Sequence, residues 1–266
     1  MDVLYEIKQK YSTFSIKEKI IAEYILNSKN SINNISITEL AKAIGTSSST
    51  LTRFSKKINC ESFVDMKMKL NSNNSNLTHK KGNDSLFSAV YNYYSEVIEK
   101  SNELLDKKLI LKIVQKILKA KKIYIYGVGS SGLTAQEFMQ RLLRMGFNVS
   151  SISDSHMMII NSAIVSSEDL VIGISISGET KEVVNALRIC QKNKAKIIAV
   201  TSFPKSSITK YANDIISICN SDFINKKNFI NTQFSTMYLF DLISTILLED
   251  PELNKKMQTT IDAILK

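Results

Sequence analysis

Cysteine and histidine are scarce in this chain of 266 residues. The three cysteines, Cys60, Cys190 and Cys219, are odd in number, far apart and set among apolar residues. That spacing argues against a disulfide framework and predicts buried free thiols in a reducing compartment. His79 and His156 are the only histidines. Neither has a Cys, His or carboxylate partner at ligand spacing, so no metal site is expected. No run of about 18 apolar residues is present to cross a membrane. Met1–Lys10 alternates charged and apolar residues, unlike a signal peptide. The expectation is a cytoplasmic protein with no membrane partner and no cofactor.

The length favours two domains, and a hydrophobic share of 44% is ample for a core. Thirty-five Lys and Arg stand against 25 Asp and Glu, a net charge of +10. Abundant Lys, Asn and Ile fit a coding bias, so charge by itself is a weak pointer to a polyanion. Its distribution is more informative. Residues 1–81 hold 13 Lys and Arg against seven Asp and Glu, so the basic excess is concentrated at the N-terminal end.

There the apolar positions recur at helical spacing. Val3, Leu4, Ile7 and Tyr11 form one stripe. Ser15 precedes Glu18 at capping-box spacing, and Ile20, Ile21, Tyr24, Ile25 and Leu26 follow as a second helix. Ser36 or Thr38 caps a third helix over Ile37–Ile44, which Gly45 ends. Next comes Ser47–Ile58. Counting from Ile37, a small residue (Ala41), a glycine (Gly45) and two apolar residues (Leu51 and Phe54) fall at positions five, nine, fifteen and eighteen. A helix-turn-helix needs that arrangement, for close approach, a tight turn and a locked second helix. Thr46 stands where an aliphatic residue is more usual. The second helix would present Ser48, Ser49, Thr50, Thr52, Arg53 and Lys56 to phosphates and base edges of a DNA operator. The plainer alternative is a helical bundle with a solvated basic face. Residues 1–70 form the predicted DNA-binding domain, and the polar run 71–85 a flexible connector.

Residues 86–266 form the predicted second domain. Two amphipathic stripes open it: Phe87, Val90, Tyr91, Tyr94, Val97 and Ile98, then Leu109–Leu118. Strands and helices alternate afterwards, with strands expected at Ile123–Tyr126, Val149–Ile152, Leu170–Ile174, Lys196–Thr201 and Asp214–Cys219. That order predicts a three-layer α/β fold around a five-stranded parallel sheet. The stretch Leu170–Lys181, LVIGISISGETK, is its organising feature. An apolar strand runs into Ser175, Ser177, Gly178 and Thr180, and a helix then begins. Hydroxyls, backbone N–H groups and a helix N-terminus make an anion cradle. A serine-rich cap on an ordinary turn is the alternative.

Gly127-Val128-Gly129-Ser130-Ser131-Gly132 follows the first strand as a literal G-x-G-x-x-G, and Asp154 lies at the end of the second strand. Both suit a dinucleotide site, hence an NAD(H)-sensing repressor. A second hydroxyl-rich turn suits a compact monophosphate better than an extended pyrophosphate.

With these residues in view, Lys122–Phe223 resembles the sugar isomerase (SIS) domain, whose signature pairs a G-x-G-S-S turn with an S-x-S-G-x-T turn two strands later. Leu40-Ala41 and the run Thr50–Phe54 resemble the helix-turn-helix of RpiR-type transcriptional regulators, which join that module to a SIS domain. The resemblance implies a phosphosugar-responsive DNA-binding regulator, a homodimer or larger. It implies that Gly129, Ser130, Ser131, Ser175, Ser177, Gly178 and Thr180 hold the effector phosphate, and that Asp154, His156 and Glu179 stand near its sugar. It also places Gln233 where a basic residue is expected. SIS domains also serve as aldose–ketose isomerases, for which His156 and Glu179 are the available bases. A catalyst has no use for a basic helix-turn-helix, so a sensor without a catalytic residue is the expectation.

Overall fold

The computed structural model describes residues 3–27, 35–72, 83–220 and 231–265. The chain divides into two compact units, Met1–Val90 and Tyr91–Lys266.

The first unit is helical, with α1 (Val3–Gln9), α2 (Ile16–Asn27), α3 (Ile37–Ile44), α4 (Ser48–Lys57) and α5 (Phe63–Ser72). Its ends follow local chemistry. Ser15 and Glu18 exchange backbone and side-chain hydrogen bonds ahead of α2, and Ser36 and Glu39 close a capping box on α3. Gly45 ends α3 at φ +72°. Apolar faces of all five helices meet in one core, with Ile7, Ile21, Ile25, Leu40, Leu51, Phe54 and Met66 fully buried. The unusual Thr46 has a cost: its hydroxyl is buried with no hydrogen-bond partner among the described residues.

Helix α6 (Asn83–Leu104) runs across the division between the units. The predicted connector lies largely outside the described residues, and its last three positions, 83–85, belong to the first turn of α6. Of the stripe expected on this helix, Val97 is buried and Tyr94 half-buried, but the rest is corrected. Phe87, at 76% exposure, and Val90, Tyr91 and Ile98 face solvent. The buried seam is Tyr93, Val97 and Ser101, a strict i, i+4, i+8 row that continues through a serine. Ser101 fits there because its hydroxyl bonds back to the Val97 carbonyl at 2.6 Å.

The second unit continues with α7 (Lys107–Lys119), β1 (Ile123–Tyr126), α8 (Ser130–Arg144), β2 (Val149–Ile152), α9 (Ser155–Ile164), β3 (Leu170–Ile174), α10 (Lys181–Lys192), β4 (Lys196–Thr201), β5 (Asp214–Ser217), α11 (Phe234–Leu247) and α12 (Pro251–Leu265). All strand pairs are parallel, in the order β2-β1-β3-β4-β5. Alternate strand residues feed two cores. Ile123, Ile125, Leu170, Ile172, Ile198 and Val200 pack with α7, α8 and α11, whereas Tyr124, Tyr126, Val171, Ile197 and Ala199 pack with α9 and α10. Burial on both faces explains why β1 and β3 are continuous apolar runs. Cys60, Cys190 and Cys219 are buried and unpaired, and burial raises each thiol above its ordinary range, Cys219 to about 11. Among the described residues no helix is long and apolar enough to cross a membrane.

One buried charge ties a helix to the sheet. Asp214, 4% exposed at the start of β5, accepts from Lys112 at 2.6 Å and from Lys116, both on α7. Burial alone would raise its pKa, but the two ammonium groups more than offset this and hold the carboxylate below its usual range. Its contribution to stability is therefore complete above about pH 4 and falls away as pH drops through the lowered folded value. Thermal unfolding of Asp214→Asn should show a lower Tm than the parent at pH 7, with the gap closing towards pH 2. A gap that stays constant with pH would remove the ion pair from the account.

Candidate functional site

Strand order decides where a ligand can sit. From β1 the chain crosses to β2 on one side, then returns to place β3 on the other side of β1. The loops leaving β1 and β3 therefore diverge to opposite faces, and a crevice opens between their carboxyl ends. Both hydroxyl-bearing turns lie there. A cleft of about 330 Å³ is lined by Val128, Ser130 and Ser131 after β1 and by Ile176, Ser177 and Thr180 after β3. Phe203 after β4, Asn220 after β5, and Thr232 and Gln233 leading into α11 complete it.

The turns are built differently. In the first, Gly129 holds φ +59° and starts α8, and Ser131 lies inside the first helical turn, 8% exposed. In the second, Ser175 is 2% exposed and shares a 2.8 Å hydrogen bond with the Thr180 hydroxyl. Its hydroxyl also lies 3.5 Å from that of Ser177, which accepts from the Glu179 N–H at 3.2 Å. Ser175 braces the turn, while Ser177 and Thr180 face the cleft. Gly178 takes φ +70° so that its backbone can pass beside Ser206.

The helix ends divide by location. Side chains cap α2 (Ser15), α3 (Ser36), α4 (Ser47), α5 (Ser62), α7 (Asp106), α9 (Asp154) and α12 (Asp250). Among the described residues no side chain caps α8, α10 or α11, three helices that begin at the cleft. Their first-turn N–H groups and partial positive charges have no side-chain partner at the N-cap, an arrangement suited to an anion. Among the described residues that line it none is charged, so there hydroxyls, amides and helix ends are the groups offered to a ligand.

The remaining predicted residues stand apart from the lining. Asp154 is exposed and accepts the Met157 N–H at 2.8 Å as the cap of α9. His156 is exposed on the first turn of the same helix. Glu179 is not among the lining residues, and its carboxylate accepts the Ser207 N–H at 2.9 Å. Conversely, Phe203, Asn220 and Thr232 escaped the sequence reading because no turn motif marks them. Gln233 drew notice only as a missing cation. No group of three or more His, Cys, Asp and Glu suited to a metal occurs among the described residues.

In the helical unit, α3 and α4 meet as the spacing predicted, with Ala41, Leu51 and Phe54 buried and Gly45 at the turn. Ser49, Arg53 and Lys56 are exposed on α4, while Ser48 and Thr52 are half-buried. The Thr52 hydroxyl donates to the Ser48 carbonyl at 3.0 Å, and Thr50 shares a 2.8 Å bond with Ser47. The Ser49 hydroxyl likewise shares a 2.8 Å bond with Ser47, which leaves Arg53 and Lys56 as the exposed cations on this face.

Comparison with known proteins agrees with both units. Residues 1–77 match the helix-turn-helix domain of the rpiR family, and residues 116–243 match the SIS domain. An uncharacterised HTH-type transcriptional regulator from Haemophilus influenzae is 30% identical over 279 residues, spanning 100% of this chain and 97% of that protein. The NanR protein of Vibrio vulnificus complexed with ManNAc-6P superposes with a TM-score of 0.65 at 23% identity, covering 99% of this chain and 98% of its own. The sugar isomerase domain of an RpiR transcription factor from Sphaerobacter thermophilus, 17% identical, gives 0.61 over 67% of this chain and 98% of its own. A regulator of that length and domain order accounts for the basic helical unit and the α/β unit together. The chain belongs to the RpiR family of helix-turn-helix transcriptional regulators that carry a SIS domain.

Proposed function

We propose that this regulator senses a phosphorylated sugar in the cleft between β1 and β3 and alters its affinity for an operator in response. The observation that carries the reading is the hydroxyl-lined crevice on which three helix N-termini without a side-chain cap open. Ser130, Ser131, Ser177 and Thr180 with nearby backbone amides hold the phosphate, Gly129 and Gly178 shape the two turns, and Ser175 braces the second. The rest of the lining, including Phe203, Asn220 and Gln233, faces the sugar. Asp154, His156 and Glu179 have no direct part in this arrangement. The protein acts in the cytoplasm as a homodimer, and its two α4 helices read half-sites of a palindromic operator about one helical turn apart.

Two alternatives fare less well. A dinucleotide sheet has the order 3-2-1-4-5-6, not 2-1-3-4-5, and the acid wanted for the ribose is occupied capping α9. An isomerase needs a base at the reacting carbons, and no titratable side chain lines the cleft among the described residues.

A thermal-shift panel tests the reading. ManNAc-6P heads the panel because it occupies the structurally similar NanR, with other hexose phosphates, the free sugars and NADH beside it. A cognate sugar phosphate at about 100 times its Kd should stabilise the protein by roughly 2.7 kcal/mol, and the free sugar should not. Selective stabilisation by NADH would reverse the assignment. On the DNA side, Arg53→Ala should weaken operator binding by about 1–3 kcal/mol if the guanidinium reads a base. A fluorescence-anisotropy titration measures it, and unchanged affinity takes Arg53 off the reading face.

A further inference from the structure

The Gln233 side chain joins the first turn of the phosphate cradle to the start of α11. Gln233, 5% exposed, accepts from the Ser131 hydroxyl and from the Thr134 hydroxyl, both at 3.4 Å and both on α8. Its backbone begins α11: the Gln233 carbonyl accepts the Met237 N–H at 2.9 Å. The next residue, Phe234, packs edge-on against Tyr94 of α6 with ring centroids 4.5 Å apart. One turn further on, the Tyr238 hydroxyl donates to the Asn102 side chain, also on α6, at 3.4 Å. From Asn83 to Leu104 α6 is one helix, and its first residues, 83–90, fall in the first unit.

A phosphate oxygen is a charged acceptor, and a hydrogen bond to it is about twice as strong as one to a neutral amide carbonyl. Bonds of 3.4 Å are long, so the Ser131 hydroxyl exchanges its partner at small cost. Gln233, released from that hydroxyl, can turn its NH2 end towards the phosphate, which its carbonyl end cannot approach.

Resting on the phosphate reading above, we infer that Gln233 is the residue through which occupancy of the cleft is passed to α6. Phosphate takes the Ser131 hydroxyl, the Gln233 amide turns over, the first turn of α11 resettles, and Phe234 presses the change onto Tyr94. Tyr94 and Phe234 touch no ligand. They are positioning residues, and their removal uncouples the response without emptying the cradle. The size of the response is bounded by the preference of phosphate for the turned-over arrangement.

Hydrogen exchange on the full-length protein tests this, with inorganic phosphate as the probe at matched ionic strength. In the parent protein, phosphate should slow exchange in the turns around residues 129–132 and 177–181 and change the rates along α6, each by roughly threefold or more. Phe234→Leu should keep the protection of the turns and lose the response of α6. Gln233→Met, which has the same reach and no amide, should show altered α6 exchange before phosphate is added. If the turns of the parent are not protected, the phosphate site itself is wrong. If the turns are protected while α6 is unmoved, or α6 responds equally in Phe234→Leu, the route through Gln233 is overturned. Gln233→Met with parental α6 rates would likewise remove that residue from it.

Discussion

Gly178→Ala should unfold the cradle between β3 and α10. A methyl group there would lie 1.8 Å from the Ser206 hydroxyl and 2.4 Å from its Cβ, with Thr201 Oγ1 at 2.9 Å on another side. Ser206 has little room to retreat, because its N–H and hydroxyl both donate to the Phe203 carbonyl, at 3.0 and 2.6 Å. The Gly178 carbonyl is engaged as well, accepting the Ile208 N–H at 2.9 Å. To this overlap is added the strain of a side chain at φ +70°. Left-handed backbone costs about 1–2 kcal/mol and overpacking about 1–3, so roughly 2–5 kcal/mol is expected in total. For a unit of this size that is a fall in Tm of roughly 4–20 °C, readable by calorimetry. Response to any sugar phosphate should vanish with it, since Ser177 and Thr180 flank the displaced residue. A variant with parental Tm and intact response would mean that the turn does not take this shape.

Phe54→Ala should abolish operator binding by a different route. The ring is 0% exposed, lies 5.2 Å from the ring of Phe14, and shares a core with Leu40, Leu51 and Ile58. Truncating a buried phenylalanine costs about 3–5 kcal/mol. A small domain holds only about 5–15 kcal/mol altogether. The loss falls on the contact that locks α4 against its neighbours, so amide protection in α3, α4 and α5 should drop sharply in hydrogen exchange. Operator affinity should fall below detection, while the thermal shift given by the cognate sugar phosphate persists. Retained operator binding would show that Phe54 does not hold the reading helix. Arg53→Ala, by contrast, leaves the fold alone, and the pair of variants separates a contact from its support.

Elements made by neighbours in the chain were readable from the residues. The five strands were expected within two residues of where they lie, because a parallel strand buried on both faces must be apolar at every position, as Leu170–Ile174 is. The cap at Ser36, one of the two offered there with Thr38, and the glycine ending α3 were legible for the same reason, since both bonds close within four residues. Misreadings came where two faces of a helix offer apolar residues. On α6 the expected row from Phe87 to Ile98 is the more hydrophobic, yet of its members the core takes only Val97 fully, together with Tyr93 and Ser101. Which side faces inward is set by what packs there, and a serine satisfied by its own helix is no bar. Asp154 shows the converse. Its spacing fits a ribose-binding acid and an N-cap equally, and only the fold reveals the bond to Met157.

The residues by themselves determined the two kinds of unit, the helix-turn-helix and both hydroxyl-rich turns, all of which depend on bonds and periodicities a few positions long. Tertiary structure alone decided that the turns after β1 and β3 face one crevice, because that follows from strand order. It also decided that Gln233 meets Ser131 across 102 positions of sequence. No periodicity reaches that far: such a meeting is fixed by how α11 packs against the sheet, through burial of Leu239, Phe240, Ile243 and Leu247 in the core it shares with α8.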